Sequence, residues 1–184
     1  LEKIIQQEGA DTVGALILEP ITAGGGIIVP VKEYFSIIQE ICHKYEVLLI
    51  IDEVVTGFGR TGKAFGHQHW DVRPDMVTVA KGITSAYAPL SATLTTPAVF
   101  EAFLNAPERA LDYFRDITTF GGSAGACAGA LENIRIFEDE ELFANSARVG
   151  RYLKDRLEEL IDLPMVGDVR GKCLFLGIEL VKDK

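Results

Sequence analysis

Membranes, nucleic acids and oxidising compartments all leave marks that these 184 residues lack. No apolar run approaches the roughly 20 residues a bilayer-spanning helix needs, which excludes a membrane span. Basic residues are in the minority: 18 Lys and Arg stand against 27 Asp and Glu, for a formal net charge of -9. Nucleic-acid binders displace phosphate counterions with a basic face, and none is available here. The acidic balance itself bears on solubility and not on fold. Cysteine is scarce: Cys42, Cys127 and Cys173 are scattered, odd in number and never in CxxC spacing. They offer neither a disulfide framework nor a zinc site, fit a reducing cytoplasm, and each reads as a small core residue. The opening residues, Leu1-Glu2-Lys3-Ile4-Ile5, lack a starting Met and the basic-then-apolar layout of a secretory leader. They read as the middle of an amphipathic helix, so an internal piece of a longer protein is expected. There is no internal repeat and no low-complexity segment.

What is present is an ordinary globular mixture, 48% hydrophobic and 24% charged, in which strands alternate with helices. Residues 13 to 18, 47 to 51 and 76 to 80 are short continuous apolar runs, the pattern of strands buried on both faces. Glycines 24 to 26 mark a turn after the first run. Pro30 then stands where a first-turn proline is tolerated, and Val31, Tyr34, Phe35, Ile38, Ile41, Cys42 and Tyr45 recur at helical spacing. Strands separated by such crossovers predict parallel pairing, and hence an α/β fold with a mostly parallel sheet. Residues 90 to 94 follow too soon for another crossover and read as an antiparallel neighbour. Helices are predicted over 124 to 138 and about 140 to 161, the second with a stripe of Val149, Tyr152, Leu153, Leu157 and Leu160 and an end at Pro164. The tail from Val169 to Val181 reads as strands around Gly171 and Gly177. The predicted division falls near residue 145: 1–145 in one domain, and 146–184 as a linking helix and the start of a second.

The chemistry sits where the apolar runs stop. The first ends in Glu19-Pro20, the second in Asp52-Glu53 and the third in Lys81-Gly82. Ligands of an open parallel sheet bind beyond the carboxyl ends of its strands, so two carboxylates and an amine are expected at one edge. A lysine and a carboxylate at a dry edge suit pyridoxal phosphate. The amine condenses with the cofactor aldehyde, and the carboxylate keeps the pyridine nitrogen protonated, so that the ring serves as an electron sink. Singly, these residues have plainer readings: Asp-Glu as a helix cap or metal ligand, Lys-Gly as surface. Their order makes the combination specific. Gly57, Gly59 and Gly62 around Arg60 lack the spacing of a phosphate-binding loop and read as a loop of special backbone angles. His43, His67 and His69 form no metal set; surface or core roles suit them, with a subunit contact as the alternative for His67 and His69.

Asp52-Glu53-Val54-Val55-Thr56-Gly57-Phe58-Gly59-Arg60-Thr61-Gly62 resembles the signature of class III, or omega, aminotransferases, and Val79-Ala80-Lys81-Gly82 resembles the cofactor-lysine motif of that family. Glu19-Pro20-Ile21, Thr118-Thr119-Phe120-Gly121-Gly122-Ser123, Val169-Arg170-Gly171 and Gly177-Ile178-Glu179-Leu180 resemble further segments of it, so that the likeness runs along nearly the whole chain. The resemblance implies the fold-type-I transferase architecture: the C-terminal part of a large α/β domain and the start of a small α+β one. It implies a cytoplasmic homodimer, or dimer of dimers, for the full-length protein. By the same resemblance Asp52 would bind the pyridine nitrogen and Val54 would pack on the ring. Lys81 would form the Schiff base and shuttle the proton. Thr119, with Thr118 as the alternative one residue earlier, would bind the cofactor phosphate in a neighbouring subunit. Glu19 would tune the site from behind Asp52, or merely cap the next turn.

The implied reaction is ping-pong transamination from an amine or an omega- or β-amino acid donor to a keto acid. Thr22-Ala23-Gly24-Gly25 lacks the gating Glu of ornithine and 4-aminobutyrate enzymes, which tilts the expectation to pyruvate as acceptor and to taurine-type donors. The phosphate-cup turn and ring-stacking aromatic of the family belong upstream of this stretch and the substrate-carboxylate arginine downstream, so the piece alone is expected to be inactive. An aminomutase or racemase on the same scaffold is the alternative within this chemistry. A non-catalytic relative would have lost Lys81 or Asp52, and a nucleotide-binding protein would not place Glu19-Pro20 after its first strand.

Overall fold

The computed structural model describes residues 1–104 and 113–184. Helix α1 (Glu2–Glu8) leads to strand β1 (Ala15–Leu18), helix α2 (Tyr34–Lys44), and strands β2 (Leu48–Asp52), β3 (Met76–Val79) and β4 (Ala92–Thr95). A short helix α3 (Pro97–Glu101) follows, then the long helices α4 (Ala124–Asp139) and α5 (Leu142–Glu158) and the hairpin β5 (Val166–Lys172) and β6 (Phe175–Leu180). The first four strands make one sheet in the order β1-β2-β3-β4. Strands β1, β2 and β3 run parallel and β4 antiparallel to β3, as the connections between the runs predict. Pairing of Leu18 with Ile51 and of Asp52 with Thr78 brings the carboxyl ends of the parallel strands to one edge.

The sheet is held mainly by burial on one face. Leu49 and Ile51 of β2 pack against Phe35, Ile38 and Cys42, which recur along the inner side of α2, and Ile5 and Val72 close the cluster. The Phe35 and Trp70 rings lie 5.2 Å apart. Each such fully buried side chain contributes about 1.5–3 kcal/mol of transfer free energy. A second cluster, Val79, Ile83 and Ala130, seats α4 on the same sheet. The expectation of burial on both faces is not met in these residues: Ile17 is 58% exposed and Leu48 37%. The helices that cover this sheet leave the face carrying those two side chains open.

Two helix expectations are also corrected. Helix α2 begins at Tyr34, not in the turn after Pro30, because an antiparallel bridge between Thr22 and Ile28 keeps the preceding segment in a hairpin. Gly26, at φ 100°, turns that hairpin, and Val31 stays 69% exposed. In α5 the buried positions are Ser146 and Gly150, whereas Tyr152 of the predicted stripe is 67% exposed. The reason is distance. A Cβ on Gly150 would lie 2.1 Å from the Cys173 carbonyl carbon at the β5–β6 turn, so a side chain there has no room. Gly150→Ala in the full-length protein is therefore expected to cost about 2–3 kcal/mol by overpacking, read as a fall in Tm. Gly125→Ala, whose Cβ meets nothing within 4 Å, serves as the neutral control.

The β5–β6 hairpin is tied back to the beginning of the chain by Arg170. Its Nε donates to the Gly26 carbonyl at 2.7 Å, and its Nη1 reaches Asp168 at 2.8 Å and Glu179 at 2.5 Å. No helix among the described residues is long and apolar enough to cross a membrane.

Candidate active site

The three strand ends lie at the same edge, but each side chain is used differently. Glu19 is half-buried and its Oε2 accepts the Ala23 backbone N–H at 3.0 Å, the turn-capping alternative of its two readings. Asp52 is half-buried as well. Its Oδ1 accepts the Val54 N–H at 2.9 Å, which fixes the carboxylate, and Oδ2 has no partner among the described residues. Lys81 opens a short 3-10 turn after β3, and its amine likewise has no partner among the described residues. No hydrogen bond or ion pair joins it to Asp52 or Glu19.

Lys81 has φ 45°, a left-handed value that costs a residue with a Cβ on the order of 1–3 kcal/mol and collects at functional positions. Ser85 and Ala86, at 50° and 66°, continue the irregular backbone. The lysine lines a cavity of about 740 Å³ together with Val55, Phe58, Arg60, Phe137 and Phe143. Phe58, Phe137 and Phe143 follow one another with ring centroids 6.4 and 5.7 Å apart, giving the cavity an apolar wall. The edge is nevertheless not dry: Lys81 is exposed, and none of the described residues closes the cavity over it.

Beneath the edge lies a polar group whose role the sequence did not reveal. Glu53, with no exposed surface, accepts four hydrogen bonds: from Thr56 Oγ1 at 2.6 Å and, each at 2.8 Å, from the Gly66 N–H, the His67 N–H and His67 Nδ1. One carboxylate thus closes the loop from 53 to 67, which contains Val54 and the glycine run. Burial pushes its pKa up, but the bonds from the His67 ring, Thr56 and the two backbone N–H groups outweigh burial and hold it below the usual carboxylate value. The loop has the special backbone angles expected of it, with Gly59 at 88°, Gly62 at 80° and Phe58 at 56°. His69 is spoken for too, its Nε2 within 2.9 Å of the Thr61 carbonyl. Burial first, and then the charge of Lys172, lower its pKa.

Thr119 is exposed and touches none of the residues above; its hydroxyl has no partner among the described residues. Thr118 is engaged instead by Asp116 Oδ1, at 2.9 Å from its N–H and 2.5 Å from its hydroxyl. Asn133, on α4, was missed altogether. Its Nδ2 reaches the carbonyls of Gly82 and Ile83, directly after Lys81. The available signal was an asparagine in a helix interior, where that residue is disfavoured unless its side chain is used elsewhere.

Strand ends carrying an unpaired lysine and a fixed, half-satisfied carboxylate, on a mostly parallel sheet, define a cofactor-type edge in an α/β fold. The chain belongs to the class-III aminotransferases: the model of that family matches residues 1–184. It is 56% identical over 185 residues to the taurine–pyruvate aminotransferase of Bilophila wadsworthia, covering 100% of this chain and 41% of that protein. It is 52% identical to the hypotaurine/taurine–pyruvate aminotransferase of Paracoccus denitrificans, with 100% and 40% covered. Among solved structures, an aminotransferase of Bacillus anthracis superposes with a TM-score of 0.95 at 50% identity. An (S)-enantioselective omega-transaminase from Thermomicrobium roseum superposes at 0.94 and 44%, and each match covers 100% of this chain and 40% of the other. The chain thus spans about two fifths of the length of the relatives it matches.

Proposed function

We propose that the full-length protein is a pyridoxal-phosphate aminotransferase that moves an amino group from a taurine-type, amine or omega- or β-amino acid donor to a keto acid, with pyruvate as the acceptor. The observation that carries this reading is Lys81: a lysine in a strained conformation, its amine unpaired among the described residues, lining a cavity beyond the strand ends, with Asp52 at the end of the neighbouring strand. The named relatives favour transfer to pyruvate over an aminomutase or racemase.

The residues present fit the cofactor. Among the described residues Asp52 Oδ2 and the Lys81 amine have no partner, and Oδ1 is held by Val54, so that the second oxygen of Asp52 has a set direction. Bound pyridoxal phosphate supplies an aldehyde for the amine and a ring that holds the electron pair left when the donor carbon loses its proton. Asp52 keeps a proton on the ring nitrogen by ion pairing. Val54, next to it, packs on the ring. Lys81 Nζ takes the proton from the amino-bearing carbon of the donor and returns it in the second half-reaction, as base and then acid. Thr119 donates its hydroxyl to the cofactor phosphate of a neighbouring subunit, which makes a homodimer the working unit. Glu19 holds the turn at Ala23 beside the site. Residues 1–145 form the C-terminal part of the large domain and 146–184 the start of the small one, in a cytoplasmic enzyme.

Borohydride reduction of the full-length protein mixed with pyridoxal phosphate, followed by peptide mass mapping, tests this. A phosphopyridoxyl group on Lys81, with alanine formed from pyruvate and an amine donor, is expected. A stable adduct on a different lysine, or none, would remove Lys81 from this role.

A further inference from the structure

Asn133 lies inside α4, where an asparagine weakens the helix unless its side chain has other work. Its Nδ2 donates to the Gly82 carbonyl at 2.8 Å and to the Ile83 carbonyl at 3.0 Å, and its Oδ1 accepts from Ser85 Oγ at 2.8 Å. The partners fix the orientation of the amide, because two carbonyls demand the NH2 end. One side chain therefore spans the turn whose first residue is Lys81 and whose fifth, Ser85, is left-handed like the lysine. The turn is backed from another side by Phe58: a Cβ on Gly82 would come within 2.9 Å of the Phe58 Cβ. Within the turn the closing backbone bonds are long, 3.4 Å from Thr84 N to Lys81 O and 3.3 Å from Ser85 N to Gly82 O. Such bonds would not by themselves hold Lys81 in a disfavoured conformation.

We infer that Asn133 is a positioning residue for Lys81: by tethering Gly82, Ile83 and Ser85 to α4 it sets the direction in which the lysine amine leaves the sheet edge. It touches no reacting atom. This rests on the reading of Lys81 as the cofactor-binding lysine. The same helix begins directly after the Thr118–Ser123 segment, so the lysine turn and the proposed phosphate contact share one support.

The test uses the full-length enzyme with Asn133→Ala and Asn133→Asp. The aspartate keeps the shape and the bond from Ser85, but turns an acceptor towards two carbonyls. On adding pyridoxal phosphate, both variants are expected to form the borohydride-trapped Lys81 adduct at least about tenfold more slowly, since small misplacements of a reacting group carry large rate costs. The pH midpoint of the bound cofactor's visible absorption should move. Turnover should drop in kcat with the donor KM little changed, and Asn133→Asp should be the more affected. Ser85→Ala, an exposed change that frees only the amide oxygen, should shift the midpoint in the same direction by less and guards against a folding artefact. Unchanged trapping rate, pH midpoint and kcat in variants that merely melt earlier would reduce Asn133 to a structural contact. Absence of a Lys81 adduct in the unsubstituted enzyme would overturn the role of Lys81 itself, and that of Asn133 with it.

Discussion

Lys81→Ala in the full-length protein is expected to lower alanine formation by roughly a thousandfold or more, the scale of losing a nucleophile and a general base together, while the melting temperature barely moves. The structure separates the two effects. The Lys81 side chain is exposed and its amine has no partner among the described residues, so its removal orphans none of their buried groups. The backbone strain at φ 45° is common to both residues, since alanine also carries a Cβ. Lys81→Arg makes the sharper comparison. It keeps the positive charge at the sheet edge, but a guanidinium that stays protonated cannot condense with an aldehyde. Both variants should be equally dead, equally folded and equally free of a borohydride-stable adduct at position 81. Activity retained by Lys81→Arg would mean that charge alone is what this position supplies.

The largest loss of stability is expected from Glu53→Ala. The substitution leaves two backbone N–H groups, the Thr56 hydroxyl and the His67 ring N–H without their acceptor, the Thr56 and Gly66 groups in a fully buried setting. Breaking such a network costs about 3–5 kcal/mol. Glu2→Ala removes an equally short contact, 2.6 Å to Lys44, but at the surface, where solvent screens the pair, and should leave the melting temperature nearly unchanged. Thermal melts of the two variants decide whether the buried carboxylate or the count of ion pairs matters.

Acid should act on the same carboxylate. Its folded pKa lies below its ordinary value of 4.5, so the unfolded chain takes up the proton first as pH falls. The stabilisation by Glu53 is thus complete above about pH 4.5 and is lost as pH drops through the folded pKa. His69 adds a slope of the same sign starting near 6.5, its ordinary value, because its folded pKa is lowered as well. In Glu53→Gln the melting temperature should depend less on pH below 4.5 and keep the shallower dependence above it.

What the sequence made readable follows from how local each signal was. The parallel strands announced themselves as unbroken apolar runs, and Asp52 and Lys81 stood out because each ends a run. The antiparallel placement of β4 could be read from a connection too short for a crossover. Asn133 could not, since an amide holding carbonyls some fifty residues away leaves no periodicity. Glu53 was visible as half of an Asp-Glu pair, but its acceptors' partners, Gly66 and His67, lie across a loop with no pattern of its own. The face of α5 was misjudged because hydrophobicity ranked Tyr152 and Leu153 above Gly150, whereas the close approach of Cys173 demands the smallest residue. The start of α2 was misjudged because a bridge between Thr22 and Ile28 competes with helix formation in the residues before it.

The Arg170 tie to the Gly26 carbonyl joins positions 144 residues apart. A polypeptide is made from its amino end, so the hairpin at residues 22 to 28 is complete long before its guanidinium clasp exists. Until Arg170 has been synthesised and has left the ribosome, the Gly26 carbonyl lacks this donor. Sheet strands β1 to β3 can pair during that interval, since loop closure between them is shorter. The glycine hairpin can therefore form locally through its Thr22–Ile28 bridge, but its clasp to the small hairpin is among the last contacts of this stretch to be made.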